Sequence, residues 1–263
     1  MMQRLFRLSL LLGALFAVAA MDPPSQPATL PPEQAAKEGR ELVDEMLSQQ
    51  PDANAVTGIM AIRKLGPHGS YTEVGIRFQT IVTPTNYASL YQATRSNQVQ
   101  NITIVHTPGQ PNLYFSGANP FIDKSAVSNT LPLTALPGVL FSEQTLAPFS
   151  GSDFSIADLG LEFLHWPDQK LLQKDMKRGR ACRILESTNP HPTAGDYAKV
   201  KSWVDNESHG ILLAQAFDAN GNQVKQFAPQ GFSKDKDKQW QLEGMEISTG
   251  DKSKTIIKFN IDK

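Results

Sequence analysis

The stretch "FSGSDFSIADLGLEFLHW", residues 149–166, is where nucleophilic chemistry would first be sought, because Ser150, Ser152 and Ser155 stand among glycine and acidic residues ahead of an apolar segment. An active serine needs the sharp strand-to-helix turn of a G-x-S-x-G elbow. "SGSDFS" lacks that spacing, and the preceding "TLAPF" does not read as a strand leading into one. The same residues have a structural reading. With Ser155 as N-cap, Asp158 falls at the third helical position to give an S-x-x-D capping box, and Phe154 is placed to staple onto Leu159. The helix that follows turns Ile156, Leu159, Phe163 and Leu164 to one side, toward a sheet. Ser155 is thus explained without catalysis, and no catalytic residue is expected; a hydrolase using Ser155 is the enzymatic alternative.

Other chemistry-bearing residues are scattered. His68, His106, His165, His191 and His209 form no H-E-x-x-H and no paired metal spacing, so no metal site is expected. Neither G-x-G-x-x-G nor G-x-x-x-x-G-K-[ST] is present to cradle a nucleotide phosphate, and no cofactor is expected. Cys182 is the only cysteine, which excludes an intramolecular disulfide; it reads as a small buried hydrophobe.

The N-terminus sets the compartment. In "MMQRLFRLSLLLGALFAVAAMD", Arg4 and Arg7 precede an apolar run and then small residues, the pattern of a signal peptide cleaved near Ala20. The run is shorter than the roughly 20 residues of a membrane span. The formal net charge of -1 falls to -3 when Arg4 and Arg7 leave with residues 1–20, so nucleic acid is a poor partner. "MDPPSQPATLPPEQ" follows, and its prolines favour an extended linker over residues 21–32. One domain is expected over residues 33–263.

That domain must position whatever site exists. Ala35, Ala36, Gly39, Leu42, Val43, Met46 and Leu47 recur at three and four, marking an amphipathic helix. From Ala55 the period becomes two. "AVTGIMAIRK", "YTEVGIRFQTIVT", "NYASLYQATR" and "QNITIVHTP" read as strands, with Val74, Ile76, Phe78 and Val82 on one face and Glu73, Arg77 and Gln79 on the other. Residues 116–150 are interrupted by proline, and short helices or a flap are expected there. Seven further strand patterns run from "KLLQKDMK" to "SKTIIKFNI", joined by turns such as "DNESHG" and "DANGN". A meander of this length must curl. The expected fold is therefore mainly β (α+β): an unclosed antiparallel half-barrel of about 11–12 strands with helices packed in its concavity as a lid.

The C-terminal half adds a resemblance. "GSDFSIADLGLEFLHWP", "KRGRACRILES", "YAKVKSWVD", "LLAQAFDANGNQVKQF" and "WQLEGMEIS" resemble, in that order, the LolA-like outer-membrane lipoprotein-sorting proteins. The resemblance implies a periplasmic half-barrel whose helices cover an apolar cavity for lipid or lipoprotein acyl chains. It also implies an alternative, an envelope sensor or scaffold docking onto a membrane-protein partner. No residue here can be equated with the lid-locking arginine of the lipoprotein carriers. The candidate lining residues are Met60, Ile62, Val74, Ile76, Phe78, Ile102 and Ile104 from the strands, with Leu159 and Phe163 from the cover. Periodicity shows which faces are apolar; it leaves open whether they line a void or fill a solid core. Lys225 and "SKDKDK" at 233–238 offer cations for head groups, the latter also reading as a solvated hairpin tip. Trp203, among charged neighbours, reads as a rim or outer-face residue.

Overall fold

The structure is a computed structural model that describes residues 30–49, 51, 54–66, 68–117, 138, 140, 142–234 and 240–260. The signal peptide, most of the proline-rich linker and most of "SKDKDK" lie outside the described residues. The first helix among the described residues is α1 (Pro32–Ser48), with Pro32 in the first turn, where its missing N–H costs nothing. Strands β1 (Asn54–Lys64), β2 (Ser70–Val82), β3 (Tyr87–Arg95), β4 (Gln98–His106) and β5 (Leu113–Ser116) follow. After a one-turn helix α2 (Ser142–Thr145), a 3-10 turn (Phe149–Gly151), α3 (Ile156–Leu159) and a second 3-10 turn (Glu162–His165), seven strands complete the chain. These are β6 (Asp168–Lys177), β7 (Arg180–Thr188), β8 (Lys199–Asp205), β9 (Ile211–Phe217), β10 (Gln223–Lys234), β11 (Trp240–Thr249) and β12 (Ser253–Phe259).

All twelve strands form one sheet in the order β5-β4-β3-β2-β1-β12-β11-β10-β9-β8-β7-β6. Every neighbouring pair is antiparallel. The expected meander is thus two meanders joined where β1 pairs with β12, Met60 opposite Ile257. The sheet edges are β5 and β6, the strands that flank the helical insertion. The insertion connects those two edges, and its apolar side chains pack against the inner face between them.

The sheet is drawn tightly around β12. At Gly58 on β1 and Gly244 on β11 a Cβ would overlap the carbonyls of Lys258 and Ile257, so glycine is what permits the close backbone approach there. Both edges are covered. Ser116 N–H donates to Gly138 O at 2.9 Å and Leu140 N–H to Tyr114 O at 2.8 Å along β5. Against β6 lies α1, so close that a Cβ on Gly39 would stand 2.7 Å from Lys170 Cα. This protects edges that would otherwise invite another strand.

The core is divided. One cluster under β1–β4, β11 and β12 holds Met60, Val74, Ile102, Ile104, Ile247 and Ile257 with Phe149, Phe154, Ile156 and Leu159 of the insertion. A second joins Leu42 and Val43 of α1 to Phe163, Leu164, Leu171, Leu185, Val200 and Val204. A small third cluster, Ile81, Ala88, Leu90, Val105 and Phe115, lies by strand alternation on the opposite face. It explains a departure from the alternation read in β2: Gln79 is buried, although it shares its parity with exposed Glu73 and Arg77.

Candidate functional site

The insertion is held in place by three buried anchorages. The first is Asp153, only 7% exposed. Its carboxylate accepts hydrogen bonds from Thr255 Oγ1 at 2.8 Å, Thr249 Oγ1 at 3.0 Å and the Ser253 hydroxyl, which fastens the segment to β11 and β12. The second is the capping box. Ser155 Oγ accepts from Asp158 N–H at 3.1 Å and Asp158 Oδ2 accepts from Ser155 N–H at 2.7 Å. Asp158 also accepts from Tyr197 OH at 2.9 Å and pairs with Lys225 Nζ at 3.0 Å on β10. Lys225, read in the sequence as a head-group cation, is committed to this pair, with its Nζ 5.3 Å from the Tyr197 ring centroid.

The third anchorage is Gln169 on β6, whose Nε2 donates to Phe163 O at 3.0 Å and Trp166 O at 2.8 Å while its Oε1 accepts from Ser187 Oγ at 2.7 Å. The helix after Ser155 is shorter than its periodicity suggested. It stops at Gly160, and Leu161 takes a left-handed φ of 49°. The break sends Ile156 and Leu159 into the first core cluster and Phe163 and Leu164 into the second.

So fastened, residues 155–166 form a wall shared by two cavities. The larger, about 480 Å³, is lined from the insertion by Leu159, Leu161, Leu164 and His165, from the sheet by Phe78, Tyr91, Phe227, Leu242 and Met245, and from α1 by Met46 and Leu47. The smaller, about 380 Å³, is lined by Ala157, Glu162, Phe163 and Trp166 of the same segment, with Tyr114, Asn112, Tyr197 and Asp196. The first is predominantly apolar and the second divides almost evenly between polar and apolar surface. In the smaller cavity Glu162 Oε2 accepts from Tyr114 OH at 2.7 Å and from Asn112 Nδ2 at 3.3 Å, and burial pushes the Glu162 carboxyl above its ordinary range despite those bonds.

Phe78 and Leu159 lie on the wall of the larger cavity, and Phe163 on that of the smaller. Met60, Ile62, Val74, Ile76, Ile102 and Ile104 belong instead to the sealed first cluster, behind the cavity wall. Sequence reasoning missed Tyr91, whose OH donates to Leu159 O at 3.2 Å, and the contribution of α1. Met46 and Leu47 were visible as part of the helix stripe, but nothing local distinguished them from core residues. Trp203 lies on the outer face, its Nε1 donating to Asp175 Oδ2 at 2.8 Å. Cys182 is buried, and burial raises its thiol pKa.

The larger cavity reaches solvent beside exposed Gln49, Pro51 and Gly210. Here the end of α1 meets the β8–β9 turn: Gln49 Nε2 donates to His209 Nδ1 at 2.9 Å, Glu45 Oε2 stands 3.7 Å from His209 Nε2, and Arg183 Nη2 donates to Glu45 at 3.2 Å. Asp205, which accepts from Arg180 at 2.8 and 2.9 Å and from Ser208, holds the turn that presents His209. Three histidines line this cavity, yet among the described residues no group of three or more His, Cys, Asp or Glu side chains is placed to hold a metal ion.

Comparison with solved structures places this architecture. A DUF1329 family protein from Desulfovibrio piger superposes with a TM-score of 0.60 at 18% identity, over 86% of this chain and 91% of that one. An outer membrane lipoprotein-sorting protein domain from Vibrio parahaemolyticus gives 0.61 at 16% identity with the same coverage. The fold is LolA-like. A LolA superfamily protein from Nitrosomonas europaea, at 0.52 and 15% identity over 86% and 91%, agrees. A family model described only as "Uncharacterized protein" matches residues 131–261, the insertion and the strands after it. No curated protein matches. Among the described residues no helix of the chain is long and apolar enough to cross a membrane.

Proposed function

We propose that this protein is a periplasmic, non-enzymatic carrier that shelters an acyl chain of a lipid or lipoprotein in the larger cavity. In this reading the signal peptide leaves near Ala20, residues 21–32 tether the domain, and residues 33–263 do the binding. The observation that carries it is the cavity itself: about 480 Å³, within the range of small-molecule sites, walled by Phe78, Tyr91, Phe227, Leu159 and Met245 with no lysine or arginine among its described lining residues. Each methylene moved from water into such a wall contributes about 0.8 kcal/mol, so ten contribute on the order of 8 kcal/mol. The exposed contacts closing the mouth are worth about 0.2–1 kcal/mol apiece, so a guest can open it. Carriage needs no reacting group, which suits a site where Ser155 is occupied as a cap. The lipoprotein-sorting description of the Vibrio parahaemolyticus domain supports the same class of cargo.

The test is a titration of delipidated protein with a fluorescent fatty acyl probe. Saturable one-site binding is expected, weakened at least tenfold by Phe78→Lys on the cavity wall and unchanged by Phe232→Lys, an exposed aromatic on β10. Lack of saturable binding, or equal response of the two variants, would sink the proposal.

A further inference from the structure

One end of the larger cavity is polar. Ser89 and Tyr87 of β3, His106 of β4 and His165 of the insertion face it together. Tyr87 stacks on His106 with ring centroids 4.3 Å apart, and Ser89 Oγ lies 3.3 Å from His106 Nε2. His165 Nε2 is buried without a hydrogen-bond partner. Buried polar atoms are nearly always paired, and because this nitrogen is closed off even from the cavity that its own residue lines, a guest supplies the missing bond by turning the ring toward the void.

The charge around it restricts the guest. Among the described lining residues there is no lysine or arginine to meet a carboxylate. The one carboxylate, Asp158, is already engaged by Lys225, Tyr197 and the Ser155 amide, so an ammonium head finds no free counter-charge either. An ion buried here without a partner costs far more than a neutral polar group that is hydrogen-bonded. Burial also keeps the His106 and His165 rings neutral at physiological pH. A neutral imidazole offers one donor and one acceptor, and the Ser89 hydroxyl adds both.

Resting on the carrier reading above, we infer that the Ser89–His106–His165 wall selects the uncharged ester or hydroxyl end of a neutral acyl lipid over fatty acids and alkylammonium amphiphiles. The chain lies against Phe78, Tyr91 and Met245, and the orphaned His165 nitrogen bonds the head.

The experiment keeps chain length constant and varies the head. Bound fluorescent acyl probe is displaced at pH 7.5 by monolauroylglycerol, laurate or dodecyltrimethylammonium, with twelve carbons in each to stay monomeric. The glyceride is expected to compete at a concentration at least tenfold lower than either ion. His165→Phe should remove that advantage, read as the ratio of glyceride to laurate competition against the probe affinity measured for that same variant, and His165→Gln, which restores a hydrogen-bonding group, should retain the ratio. Equal competition by all three, preference for an ion, or an advantage that survives His165→Phe would overturn head selection yet leave the carrier reading standing. If the probe itself fails to bind, both fall.

Discussion

Residues 149–166 and the last turn of α1 both wall the larger cavity, but the first is fastened by buried bonds to distant strands and the second by exposed contacts to Arg183 of β7 and to the β8–β9 turn. Asp153, Asp158 and Gln169 each gather several donors or acceptors in low-dielectric surroundings, where loss of one partner strands the others. Gln49 and Glu45 meet His209 at the solvent-exposed mouth, where water competes for the same groups. The difference separates two jobs that a helical cover might combine. The insertion is a fixed partition that shapes the chambers, and the tip of α1 is the part that can yield.

Removing Asp153 attacks the partition at its firmest point. Asp153→Ala leaves the hydroxyls of Thr249, Ser253 and Thr255 without their shared acceptor, and a loss of about 4 kcal/mol in denaturant-unfolding free energy is expected. Thr249→Ala, which removes one donor, should cost about 1 kcal/mol. Equal costs would show that the carboxylate is not the hub.

Acid should act on the partition side next. Burial holds His106 down at about 4, against an ordinary value of 6.5, and lowers its neighbour His165 in the same direction. Between those two values the unfolded chain takes up a proton that the folded His106 refuses. Stability is therefore fully present above pH 6.5, falls as the pH drops, and levels off below about 4. The loss attributable to His106 is on the order of 3 kcal/mol. His106→Phe, which keeps the stacking surface toward Tyr87, should flatten this slope in urea titrations at successive pH values.

The base of α1 lies between the two extremes. Gly39→Ala would push a methyl into the Lys170 backbone, which cannot swing aside, so about 2 kcal/mol of destabilisation is expected with loss of α1 docking. Protection of the Leu42 and Val43 amides in hydrogen exchange reports that docking, and unchanged protection would refute it.

Much of the frame was legible because it is locally encoded. Period-two runs gave the strands from Ala55 onward, and Ser155 and Asp158 announced their own capping box. What escaped notice depends on pairings far apart in the chain. Asp153 meets Thr255 across 102 positions, and Lys225 meets Asp158 across 67. No local pattern distinguishes such an anchor from a solvated side chain. The cavity was hidden for a related reason: Phe78 and Val74 share one strand face, yet Phe78 borders a void while Val74 is sealed. Periodicity assigns both side chains to the same face and carries no information on the void, just as it ran the helix on through the break at Gly160–Leu161.

The smallest expected change in stability carries the sharpest information about the yielding tip. His209→Ala removes the partner of both Gln49 and Glu45, while Arg183 keeps its own hold on Glu45. Exposed contacts of this kind contribute about 0.5 kcal/mol each, so the melting transition should barely move. If the tip of α1 must lift before an acyl chain enters, the same variant should take up the fluorescent probe several-fold faster in stopped flow, and release it faster by a similar factor. Equilibrium affinity would then stay nearly constant, because the contact is absent from the open state and weak in the closed one. Thr249→Ala supplies the opposite control: it loosens the partition and lowers stability without speeding entry. Were the two variants to exchange these behaviours, the insertion would be the moving part and α1 the fixed wall.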